Sequence, residues 1–242
     1  MSIEPKTAFH AAPFLTTRWT RVCLAKADSE EGRHALADLC DAYYEPVVAY
    51  LRSVLRDADA ARDMSHAFFE EMLGGGTIHT ADRHRGRFRS YLLGAVKHFV
   101  SRQREIHRSL KRGGGLEAVS MDEEGVSAVR DSSVISPDAA FDRQWALTML
   151  ERSLEALRSE CQAEGRVDFF DQVRPMLTGD AAYGDQGAVA ASLGMSIDTF
   201  RVAVHRMKKR LRQCVKAEIA GTVGDSSAVL DEMQILLEAL GR

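Results

Sequence analysis

Several chemistries are missing from this 242-residue chain. Its cysteines, Cys23, Cys40, Cys161 and Cys214, form no C-x-x-C pair and have no histidine at ligand spacing, which argues against both a zinc site and a disulfide framework. No apolar run is long enough to span a bilayer. The opening segment MSIEPKTAFHAAPFLTTRW lacks the cationic start and unbroken apolar stretch of a secretory signal, so a cytosolic (cytoplasmic) chain with no membrane partner is expected. Runs of alternating β-branched residues are also absent, and almost every periodic segment has helical spacing, so the expected fold class is all-α. The phosphate-loop pattern G-x-x-x-x-G-K-[ST], the metalloprotease H-E-x-x-H and the hydrolase G-x-S-x-G do not occur, so no catalytic residue, metal or cofactor is assigned and the chain is not expected to be an enzyme. The Gly triplets at 74–76 and 113–115 follow helical patterns and read as helix ends and joints. His79, Asp82 and His84 read as polar loop residues.

The formal net charge of -3 hides a strong segregation. Between Arg83 and Arg112 there are ten Lys or Arg and a single acid, Glu105, and between Arg201 and Lys216 seven cations and no acid. The stretch from Glu117 to Asp185 carries fifteen acids against six Arg. Two basic islands in an acidic chain point to two separate nucleic-acid contacts, with acidic surfaces left to meet a basic protein.

Helices are expected over Thr17–Ala27, Glu31–Leu55, residues 60–73 and Phe88–Leu110. The second carries the stripe Leu36, Leu39, Tyr43, Val47, Tyr50 and Val54, with a kink or break at Pro46. In the third, Ala61, Met64, Phe68 and Met72 face inward; in the fourth, Phe88, Leu92, Val96, Phe99, Ile106 and Leu110 do. Residues 113–137 have the Gly, Ser and acid content of a flexible tether. The division is then an N-terminal extension, 1–30; a first helical domain, 31–112; the linker, 113–137; a second helical domain, 138–216, with Trp145, Leu147, Leu150, Leu154 and Leu157 in its core; and a C-terminal extension, 217–242, ending in an amphipathic helix that packs back on the second domain.

Three surfaces carry functional signals. In GDQGAVAASLGMSIDTFRVAVHRMKKRLR, residues 184–212, Gly194 provides a tight turn, Ser196 caps the next helix, and Ile197, Phe200, Val204, Met207 and Leu211 face the core. The opposite face then offers Thr199, Arg201, Val202, His205, Arg206, Lys208 and Lys209, together with Asp198 and Arg212, as in a DNA-reading helix-turn-helix. In RGRFRSYLLGAVKHFVSRQREIHRSLKR, Arg85, Arg87, Arg89, Lys97, Arg102 and Arg104 suit a nucleic-acid backbone, and His98 or a pocket of the preceding loop suits an unstacked base. Asp63, His66 and Glu70 form a polar ridge opposite Met64, Phe68 and Met72, suited to a basic helical partner.

DADAARDMSHAFFEEML, GRFRSYLLGAVKHF and LGMSIDTFRVAVHRMKKRLR, in that order and spacing, resemble the extracytoplasmic-function (ECF) sigma factors of bacterial RNA polymerase, and the extensions at both ends resemble an enlarged subgroup. His66 stands where that family has Gln, Tyr91 for its Trp and His98 for its Asn, and FFDQVRPMLTGD occupies the place of its L-P-x-x-x-R segment. The resemblance implies that Asp63, His66 and Glu70 bind core RNA polymerase. It further implies that Arg85, Arg87, Arg89, Lys97, His98, Arg102 and Arg104 engage the minus-10 element of promoter DNA, and that Thr199, Arg201, Val202, His205, Arg206, Lys208 and Lys209 read the minus-35 element. An anti-sigma factor is a candidate further partner. Two other readings stand beside this one: a dimeric helix-turn-helix regulator that needs no polymerase, and a sigma-like interaction protein that sequesters polymerase or an anti-sigma factor.

Overall fold

The computed structural model describes residues 29–74, 81, 87–113, 135–179, 186–220, 223 and 228–241. The helix expected over Thr17–Ala27, most of the loop before Phe88, and most of the linker lie outside this set, as do the side chains of Leu36 and Leu110. The described residues form eight helices and no strand: α1 (Glu30–Leu55), α2 (Ala58–Gly74), α3 (Phe88–Gly113), α4 (Pro137–Ala163), α5 (Val167–Thr178), α6 (Gln186–Ser192), α7 (Ile197–Ala220) and α8 (Ala228–Leu240).

Local chemistry sets the helix ends. Ser29, with extended backbone, accepts the Gly32 N–H on its Oγ at 3.0 Å, and Glu30 and Glu31 place negative charge at the positive end of α1. Asp57 Oδ1 accepts the N–H groups of Asp59 and Ala60 at 2.9 and 3.1 Å and so caps the start of α2. Ser136 caps α4 through the Ala139 N–H, with Pro137 where a missing N–H costs nothing. α1 runs through Pro46 without a break; the proline is buried there.

α4 is the central element, and α1, α5, α7 and α8 all pack on it, while α2 packs on α1. Trp145 and Phe141 of α4, Tyr43 of α1, Phe88 of α3, Phe170 of α5 and Phe200 of α7 are fully buried. Rings join the elements edge to face: Tyr43 to Phe88 at 5.2 Å, Phe68 to Phe99 at 5.5 Å and Phe169 to Phe200 at 6.3 Å between centroids. The buried set is continuous from the α1–α3 half to the α4–α8 half. Leu154 and Leu157 are buried as expected and Leu147 and Leu150 half-buried.

One core assignment is corrected. Ile106 was expected inside but is 44% exposed. Every residue of α3 from Arg104 to Ser109 is exposed, beyond the pairing of Arg102 with Glu71 of α2, so Ile106 lies on an overhang of the helix. Periodicity alone does not reveal where such an overhang begins. No single described helix is long and apolar enough to cross a membrane.

Candidate nucleic-acid interface

α6 and α7 are joined by a four-residue turn and bent 98° to one another. Gly194 makes the turn in the left-handed region, at φ 65°. Its N–H donates to the Ala191 carbonyl at 3.0 Å and the Met195 N–H to the Ala190 carbonyl at 2.9 Å, a pair of bonds that closes a helix C-terminus around a left-handed residue. Ser196 Oγ then accepts the Thr199 N–H at 3.3 Å and shares a 2.8 Å hydrogen bond with the Thr199 hydroxyl. Phe200, Val204, Met207, Leu211, Val215 and Ile219 are buried along α7. Thr199, Arg201, Val202, His205, Arg206, Lys208 and Lys209 are all exposed, Val202 to 51%. Arg201 has only a long 3.8 Å approach to Asp198, in which both side chains are largely exposed. The cation that turns inward is Arg210, which reaches Glu160 at 2.9 Å and Glu164 at 2.8 Å near the end of α4.

The α3 face is arranged differently. Arg85 lies outside the described residues. His98 and Arg104 are exposed, and Lys97 is exposed but pairs with Asp138 at 2.6 Å. Arg102 pairs with Glu71 of α2 and lies 5.7 Å from the Phe99 ring centre. Arg87 is half-buried, bonded to Asp231 at 3.2 Å and to Glu232 at 2.9 Å on α8. Arg89 is buried, bonded to Asp142 of α4 and, through Nε and Nη2, to Glu232 at 3.2 and 3.3 Å. Its guanidinium also stacks 5.0 Å from the Trp145 ring centre. Burial works against the charge on Arg89, yet the bonds and charges of Glu232 and Asp142 outweigh it and raise its pKa. Burial raises the pKa of Asp142, with Arg89 opposing. In this arrangement Arg87 and Arg89 already hold carboxylates.

Between α2 and α3 an open cleft of about 580 Å³ is lined by Met72, Tyr91, Gly94, His98, Phe99 and Arg102, among others. Its apolar floor, a histidine and a guanidinium match what a flat heterocycle needs. Gly94 keeps one wall low, and its part was not visible in the sequence because it depends on how α2 crosses α3. On the outer face of α2, Asp63, His66 and Glu70 are exposed while Phe68 and Met72 are buried. The sequence also gave no sign of Tyr44 of α1, whose hydroxyl shares a 2.9 Å hydrogen bond with His66 Nε2 and whose ring stacks on the imidazole, 5.6 Å between centres. These contacts orient His66 within the ridge. Among the described residues no group of three His, Cys, Asp or Glu could hold a metal ion. No family model, curated protein or solved structure matches the chain.

Proposed function

We propose that the chain is a sigma-type promoter-recognition factor, which joins core RNA polymerase and directs promoter binding, DNA melting and transcription initiation. The observation that carries the DNA-reading part is the division of α7 into a buried apolar face and an exposed face bearing Thr199, Arg201, Val202, His205, Arg206, Lys208 and Lys209, set 98° from α6 across the Gly194 turn. A helix-turn-helix offers a groove this combination of a projecting helix N-terminus with base-reading side chains and later cations on phosphates. The α2–α3 cleft supplies a place for a base extruded from the minus-10 strand, with Tyr91 and His98 as its flat surfaces and the buried Phe99 in its floor. Asp63, His66 and Glu70 form the polymerase-docking ridge, an assignment that rests on the resemblance of ARDMSHAFFEEML and on the exposure of all three side chains. The activity is binding and positioning, with no bond made or broken by the protein.

Gel filtration of the full chain with bacterial core RNA polymerase, beside Asp63→Lys, tests this reading. The wild-type chain is expected to co-elute with polymerase and the variant, with unchanged helicity, to elute alone. A wild-type chain that stays apart from polymerase and binds DNA as a two-fold dimer would overturn the sigma assignment in favour of a dimeric regulator.

A further inference from the structure

Glu232 is an acid in a core position. With Leu236 and Ala239 it forms the buried stripe of α8, and it is 0% exposed. A carboxylate is almost never enclosed unless paired. Here its two oxygens are gripped by Arg87 Nη1 at 2.9 Å and by Arg89 Nε and Nη2 at 3.2 and 3.3 Å. Asp231 and Asp142 complete the set on the same two guanidinium groups, and Asp138 takes Lys97. All four acids come from the C-terminal half of the chain, and all three cations belong to the basic α3 face. A guanidinium fork accepts a carboxylate in the geometry it would offer a phosphate diester.

We infer that α8, with the start of α4, is an intramolecular latch whose carboxylates occupy the phosphate-binding cations of α3, so that nucleic acid and the C-terminal helix compete for Arg87 and Arg89. The inference rests on the nucleic-acid reading of α3 proposed above. The energetics suit a reversible device. Desolvating these charges offsets most of their mutual attraction, so the closed pair confers a specific arrangement at little net gain and is released when another anion or a partner helix takes the place of α8. Lifting α8 also returns Glu232 to water instead of leaving it buried and alone.

The full chain is compared with Asp231→Asn/Glu232→Gln, which keeps side-chain shape and removes both charges. Asp142→Asn, on a different helix, is a second test of the same contact should the double variant not fold. Two readouts are taken: hydrogen exchange of the α8 amides, and anisotropy of a labelled single-stranded oligodeoxynucleotide across a salt series. The latch predicts faster α8 exchange and oligonucleotide binding tighter by on the order of tenfold, the factor by which the open population rises. It also predicts a log–log salt slope steeper by roughly 1.4, from about 0.7 for each of two phosphates gained. Unchanged α8 exchange with unchanged affinity would overturn the latch and leave the nucleic-acid reading to the polymerase test. Faster exchange with unchanged affinity would overturn the competition by showing that α3 does not bind nucleic acid.

Discussion

Cys40, Cys161 and Cys214 show how far a side chain's chemistry departs from its type. Burial pushes the Cys40 and Cys214 thiols up to about 11, with Asp41 and Glu160 adding to the shift, and raises Cys161 as well. At about pH 8 only about one in a thousand of the Cys40 or Cys214 side chains is the reactive thiolate. In a Cys23→Ser variant, alkylation by iodoacetamide is therefore expected to run on the order of a hundredfold slower than on an unshielded thiol, and to recover in denaturant. Rapid native labelling would contradict the packing around α1 and α7. The scatter of cysteines along the chain argued against a disulfide framework, but it held no information on their reactivity. That depends on neighbours such as Met207, whose sulfur lies 3.9 Å from Cys161. Ile106 makes the converse point: its apolar type and spacing promised burial, and the overhang of α3 exposes it.

Among the elements, the α6–turn–α7 unit was the most legible, because its determinants are local. Gly194, the Ser196 cap and the apolar repeat of α7 lie within one short segment, and each acts through its immediate neighbours. Apart from Gly194 itself and its two chain neighbours, no atom lies within 4 Å of where a side chain at this position would begin, so its replacement tests backbone conformation alone. Gly194→Ala should lower the unfolding free energy by about 1 kcal/mol, the cost of forcing a side chain into the left-handed region, and Gly194→Asn by less. Urea unfolding of the two variants checks the order. Equal losses, or none, would mean that the turn does not hold its left-handed geometry. Pro46 marks the limit of local reading: of the kink or break expected there, no break forms, and α1 continues through the proline where it packs along α4.

For the molecule as a whole, the ties between distant helices are the decisive features. Arg210 joins α7 to Glu160 of α4 and to Glu164 just beyond its C-terminal end, and its hydrogen bond is the main reason Glu164 titrates below its ordinary 4.5. A carboxylate with a depressed folded pKa contributes stability that is present above the unfolded value and lost as pH falls through the folded one. The melting temperature of the wild-type chain should thus fall more steeply between about pH 6 and about pH 3 than that of Arg210→Gln. The difference is small for so exposed a pair and shrinks with added salt. Parallel curves for the two proteins would show that the tie carries no stability.

The sequence by itself determined the all-helical class, the Gly194 turn with the Ser196 cap after it, and the buried face of α7, because periodicity and capping act over a few residues. It also placed Asp63, His66 and Glu70 on one exposed ridge for the same reason. Only the tertiary structure decided which of the candidate DNA-contact side chains stay open. His98, Arg104 and the α7 row face solvent, while Arg87 and Arg89 are closed by Asp142, Asp231 and Glu232. The partners of Arg89 lie 53 and 143 residues away, and electrostatic pairing at that separation is fixed by how α4 and α8 dock, which no local pattern encodes.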